Sequence, residues 1–201
     1  MLMIKKRLQT CCKGRLKTGL LLLLPVLLIH VANAQAQMSA DTVQWNSLRK
    51  LTWNDFKGEA MELPGLKGEI YCFLPATYQR DSVNAKTVFF VQAVFDKKGS
   101  WIQKTSKTPL ALQYYQVYFD LFELHARKLR GQLAAVQPDA DPTQAFQQIY
   151  NTQFNMLNDD LKALRKETKL GVVASAVAAW KSKTEKALTE MAAYAGVEKK
   201  P

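Results

Sequence analysis

The sequence predicts an α+β fold in which a small N-terminal antiparallel or mixed sheet is followed by three helices. Three observations carry this. Between about residues 41 and 101, short aromatic and β-branched runs alternate with turn-forming clusters. From Thr108 onward the pattern becomes helical, and two of its stretches open on Thr-Pro and Asp-Pro signals. Ahead of both lies a basic, apolar, small-residue leader whose expected removal leaves one domain of roughly 160 residues.

The leader comes first in the chain. Lys5, Lys6, Arg7, Lys13, Arg15 and Lys17 form a basic segment without Asp or Glu. An apolar run from Leu20 to Val31 follows, then Ala32, Asn33, Ala34, Gln35 and Ala36. This is the order of a secretory signal peptide over residues 1–36, with cleavage after Ala34 or Ala36. The apolar run is about a dozen residues, short of the roughly 20 that span a bilayer, so no transmembrane segment is expected to remain. No Cys stands directly after the run, which argues against a lipid-anchored form. The expected location is periplasmic or secreted.

Cleavage changes the composition. The chain carries 28 basic and 17 acidic residues, and six of the basic ones lie in the leader. The remaining 22 against 17 leave a surplus of five, spread among charges of both signs without a basic tract. That excludes a nucleic-acid partner on electrostatic grounds. Three Cys become one, Cys72, which sits in an apolar run and reads as a buried small hydrophobe. Two His become one, His125.

The domain is expected over residues 40–196, with a short basic tail over 197–201. Leu63-Pro64-Gly65 marks a loop. Gly68 to Leu74 reads as one strand stopped by Pro75. Thr87 to Phe95 is so continuously apolar that it predicts a strand buried on both faces. Asp81 to Asn84 and Asp96 to Gly99 read as turns. The first helix opens at Thr108-Pro109 and runs to about Val136. The second opens at Asp141-Pro142-Thr143-Gln144 and ends near Gly171. The third runs from about Ser175 to Ala195, with Gly196 behind it. The four Trp read as core and strand anchors.

Any chemistry is expected on the first long helix. At about 100° per residue, Tyr114, Tyr118 and His125 share one stripe. Tyr115, Phe119, Phe122, Ala126 and Leu133 form the adjoining apolar face, which predicts a helix central to the core. Gln113, Gln116, Asp120, Glu123 and Arg127 read as its polar face, with Glu123 and Arg127 spaced to pair.

This helix resembles the signature helix of an exported bacterial family of zinc-dependent-protease-like proteins whose function is unknown. The family pattern reads His-Glu-Gln-x-His-Phe-Asp-x-x-Glu-x-x-Ala-Arg-x-x-Arg. Gln116, Phe119, Asp120, Glu123, Ala126, Arg127 and Arg130 match it. The segment Leu51-Thr52-Trp53-Asn54-Asp55-Phe56-Lys57-Gly58 is similar to the family's opening motif. Phe95 with Ser100-Trp101, and then Glu167-Thr168, Gly171 and Trp180, resemble later segments in the same order. The resemblance implies a zincin-like scaffold. It also implies zinc held by two His from one helix face, with the Glu between them polarising a metal-bound water.

Those three positions are Tyr114, Tyr118 and Tyr115 here. A His before the closing Gly is replaced by Leu170, and a Tyr-Asp pair ahead of Glu-Thr by Leu164-Arg165. The residue count gives the same reading independently. One His and one Cys in different halves do not make a hydrolytic zinc site, and a phenol with a pKa near 10 is a poor zinc ligand at neutral pH. No catalytic residue, metal or other cofactor is therefore expected. His125 reads as a packed or partly exposed helix histidine, although His125, Glu123 and Asp120 remain candidate cleft residues. The tyrosines either fill the space of the lost metal site or line it as an aromatic platform for a peptide or glycan. No glycine-rich phosphate loop, G-x-S-x-G or C-x-x-C is present.

The expectation is an exported, non-catalytic metalloprotease-like domain that binds a protein, peptide or glycan of the cell envelope. The alternatives are a zinc-dependent peptidase with an unusual site, using His125, Asp120, Glu123 or the tyrosines, and an unrelated α+β adaptor.

Overall fold

A computed structural model describes residues 40–80, 87–136 and 141–196. The leader, the turn expected at Asp81 to Asn84 and the tail at 197–201 lie outside the described residues. Among the described residues seven short strands come first: β1 (Thr42–Gln44), β2 (Gly68–Glu69), β3 (Cys72–Phe73), β4 (Ala76–Arg80), β5 (Thr87–Val91), β6 (Val94–Asp96) and β7 (Trp101–Ile102). Three helices follow: α1 (Pro109–Ala134), α2 (Pro142–Thr168) and α3 (Ala174–Glu190). The α+β class and the sheet-then-helices order are as the sequence predicts.

The strands form three small antiparallel sheets, ordered β1-β6-β3, β2-β7 and β4-β5. Two strand expectations are corrected. The segment expected as one strand from Gly68 to Leu74 is divided between two sheets. Between its halves, the Tyr71 N–H bonds the Ser100 hydroxyl at 2.9 Å and the Tyr71 carbonyl accepts from the Asp96 N–H at 2.9 Å. The chain thus passes from one ladder to the other around the Asp96–Gly99 turn.

Thr87 to Phe95 also breaks, at Gln92 and Ala93, where Trp45 and Pro75 take up the backbone bonds. Its first part is not buried on both faces: Val88 is 42% exposed and Phe90 51%. The β4-β5 ladder has one covered face, where Phe89 stacks on Phe146 of α2 at 6.1 Å. Its residues alternate inward and outward as a one-sided antiparallel ribbon does.

The helices start where their capping signals lie. The Thr108 side chain accepts from the Ala111 N–H at 3.1 Å, with Pro109 in the first turn. The Asp141 side chain accepts from Thr143 and Gln144. α2 stops at Thr168, before the expected end, because Lys169, Leu170 and Gly171 take positive φ of 47°, 57° and 85° in succession. After α3, a short 3-10 turn at Ala192–Tyr194 closes the described chain.

α1 packs against both other helices and against β5, β3 and β6. Its own Phe119 and Leu129 are fully buried, as are Phe95, Leu157, Leu164 and Val177 from the neighbouring elements. Each such side chain contributes about 2 kcal/mol by leaving water. Of the four Trp, Trp45, Trp101 and Trp180 are buried and Trp53 packs against the core. Cys72 is half-buried at the core edge. Burial pushes its thiol pKa well up, with Asp96 adding to the effect.

Candidate functional site

The first half of α1 carries the three tyrosines, and all three are buried. Tyr115 packs between Phe56 at 5.2 Å and Trp53 at 6.3 Å, while Tyr114 meets Tyr115 edge-on at 5.3 Å. Tyr118 stacks on Phe122 at 5.7 Å. Two glycines make room. A Cβ on Gly68 would lie 2.6 Å from the Tyr115 hydroxyl oxygen, and one on Gly171 would lie 2.8 Å from Tyr114 Cγ.

Arg165 of α2 crosses this group. Its Nη2 donates to the Tyr118 hydroxyl at 3.1 Å and lies 3.8 Å from Glu69 Oε1 on β2. Its guanidinium carbon sits 5.4 Å from the Tyr118 ring centroid, a cation–π distance. The loop and strand at 65–70, Tyr114, Tyr115, Arg165 and the 169–172 turn enclose a groove of about 240 Å³. Lys67, Lys169 and Arg165 make its wall basic, with Glu69 the one acidic member.

Burial pushes the Tyr114 phenol up to about 12, with Arg165 pulling the other way. Burial raises Tyr115 as well, helped by Tyr114 and Glu69, and raises Tyr118 against the pull of Arg165. The three phenols therefore stay protonated at neutral pH. They donate and accept hydrogen bonds, and they offer no phenolate to a metal. With a guanidinium among them, these residues do not fit a zinc ion. Among the described residues no three His, Cys, Asp or Glu gather as a metal-binding group.

The other candidates do not line this groove. His125 is fully buried between α1 and α2. Its Nε2 lies 2.9 Å from Asp160 Oδ2, and Gln153 Nε2 lies 2.5 Å from its Nδ1. Burial lowers its pKa, with Asp160 opposing. Sharing a stripe with Tyr114 and Tyr118 did not bring it to their cleft, because α2 covers its part of the stripe.

The polar face expected of α1 is also corrected. Every residue from 117 to 127 is buried, including Asp120, Glu123 and Arg127. α3 packs along that side, and Arg127 donates to the Leu188 carbonyl at 2.7 Å. The expected Glu123–Arg127 pair exists at 2.9 Å, but it is buried. Arg130 completes it with two contacts of 3.1 Å to the Glu123 carboxylate and bonds to the carbonyls of Val91 and Tyr194. Asp120 accepts from the Trp45 indole at 2.7 Å and from the Gln116 amide at 2.8 Å. Burial raises its pKa against the pull of those bonds and of Lys50.

Arg165 and Glu69 are the site residues that sequence reasoning missed as partners. Arg165 stood out only as a departure from the family pattern, and Glu69 carried no signal at all. No family model, curated protein or solved structure matches the chain. Among the described residues no helix is long and apolar enough to cross a membrane.

Proposed function

We propose that this chain is an exported, non-catalytic relative of the metalloprotease-like family, acting in the cell envelope by binding a protein, peptide or glycan at the tyrosine groove. One observation carries the reading. Of the six positions at which the chain departs from the family pattern, Tyr114, Tyr115, Arg165 and Leu170 line a single groove and Tyr118 joins them through its hydrogen bond with Arg165, while Leu164 is buried in the core.

The positions that match do different work. Gln116 takes the Leu51 N–H, Glu123 holds Arg127 and Arg130, Trp180 donates to Glu167, and Gly171 seats Tyr114. These are architectural contacts, and they keep the groove in shape whatever occupies it. Arg165 then supplies a fixed cation of the protein's own in place of a metal. The basic wall and aromatic floor suit a ligand with carboxylate or hydroxyl groups beside flat or apolar ones.

The test has two arms. The purified chain is equilibrated with zinc, desalted and analysed for metal, then assayed for peptidase activity with and without chelator. No retained zinc and no chelator-sensitive cleavage are expected, whereas stoichiometric zinc would overturn the reading. In the second arm, peptidoglycan fragments and acidic peptides are titrated while amide resonances are followed by NMR. Saturable shifts at residues 65–70 that vanish in Arg165→Ala are expected. Absence of any such shift rejects the groove as the binding site.

A further inference from the structure

A second cavity lies between the first turns of α1, the Lys50–Leu51 segment and α3, with a volume of about 630 Å³. This falls in the range of small-molecule sites, roughly 300–1,000 Å³. Leu51, Leu110, Leu112 and Val117 give it an apolar lining. Asp120 also lines it, although that residue is only 3% exposed.

The Asp120 carboxylate is held in place and half used. Both of its hydrogen bonds, from Trp45 and Gln116, go to Oδ1. Oδ2 accepts no hydrogen bond from any described residue. Gln116 is itself pinned, since its Oε1 takes the Leu51 N–H at 2.7 Å. The acceptor is thus oriented by groups that cannot turn away without losing their own bonds.

The surrounding charges leave Asp120 without an ion-pair partner among the described residues. At the rim, Lys181 and Glu185 are 3.7 Å apart and offset each other. Lys50 lines the cavity too, and its charge acts on Asp120 without an ion pair between them, its Nζ lying 5.8 Å from the Trp45 ring centroid. A carboxylate oxygen at the wall of a largely apolar pocket is satisfied by whatever donor enters there, water or the N–H of a ligand.

We infer that this cavity binds a small organic amine, its apolar body against the leucines and its protonated nitrogen donating to Asp120 Oδ2. The wall as a whole balances Lys50 and Lys181 against Asp120 and Glu185, but a ligand carboxylate seated on the leucines would bring like charge to Asp120 Oδ2. A purely apolar ligand would leave Oδ2 unpaired. The raised pKa of Asp120, caused by burial, is consistent with a carboxylate that gains from a bound cation.

The experiment uses the purified chain and the probe phenethylamine, with 3-phenylpropanoate as its counterpart of opposite charge. The Trp45 indole N–H cross-peak, assigned with Trp45→Phe, reports directly because that group donates to Asp120. A saturable shift with the amine is expected, with affinity at least about tenfold above that of the carboxylate, the value of one charge-assisted hydrogen bond. Asp120→Asn should lose about tenfold in amine affinity. Leu112→Trp fills the cavity from a half-buried position eight residues before Asp120 and should abolish binding. The inference is overturned by no saturable amine shift, by equal binding of the carboxylate, by undiminished binding in Leu112→Trp, or by shifts confined to residues 65–70.

Discussion

Gly171 sits at φ 85° with the Tyr114 ring in the space a side chain would need. Two penalties therefore add in Gly171→Ala: a left-handed backbone on a residue with a Cβ, and a contact to Tyr114 far inside van der Waals distance. Together they should cost about 2–4 kcal/mol, read as a lower urea midpoint at unchanged slope. Lys169 and Leu170 already hold left-handed conformations beside the groove, so the turn has little strain left to absorb. His125 acts on stability through pH instead. Burial favours its neutral form, so its folded pKa lies below the ordinary value of 6.5. The unfolded chain takes the proton first. Stability present above about pH 6.5 should therefore fall as pH drops through the lower folded value. Urea midpoints measured from pH 8 downward should show this decline, and His125→Gln should flatten it.

Among the elements, α1 has no solvent face along its middle, and Glu123 shows the consequence. It is a buried carboxylate shared by Arg127 and Arg130, which in turn hold α3, β5 and the C-terminal turn. Glu123→Gln leaves two guanidinium groups without their anion and should cost about 3–5 kcal/mol by chemical denaturation. A change near zero would mean that water reaches these groups. The helix starts at Thr108 and Asp141 were legible in the sequence because a cap and a proline act within one turn. The burial of Asp120, Glu123 and Arg127 was not, because periodicity reports which residues share a face and not which neighbour covers it. The strands were legible as extended segments. Their division at Ile70–Tyr71 and Gln92–Ala93 was not, since it depends on pairing with Ser100, Trp45 and Pro75, all distant in sequence. The tyrosine positions of the groove were readable from the helix pattern, whereas Glu69 entered only through the approach of Arg165.

Across the described domain, the strand half and the helical half share one core. Phe56 and Phe95 meet at 5.2 Å, and Phe95 meets Phe119 of α1 at 5.9 Å. A core of this kind unfolds as one cooperative unit. Tryptophan fluorescence, dominated by Trp45, Trp53 and Trp101 of the strand half, should therefore lose its native signal at the same urea concentration as far-UV dichroism, which reads the helices. Midpoints separated by more than experimental error would show two units in place of one.

Both ends of the domain are tied to α1. At the N-terminal end Trp45, just after β1, reaches Asp120, and at the C-terminal end the Tyr194 carbonyl reaches Arg130. These anchor points lie ten residues apart, about 15 Å along the helix axis. Tension applied to the two ends therefore enters the domain through one spindle. The N-terminal tether is a buried bond backed by the β1-β6 ladder, while the C-terminal tether is an exposed bond with the Tyr194 ring lying against Gly131. Under a pull the C-terminal side is therefore expected to yield first, α3 leaving α1 while the sheets still hold.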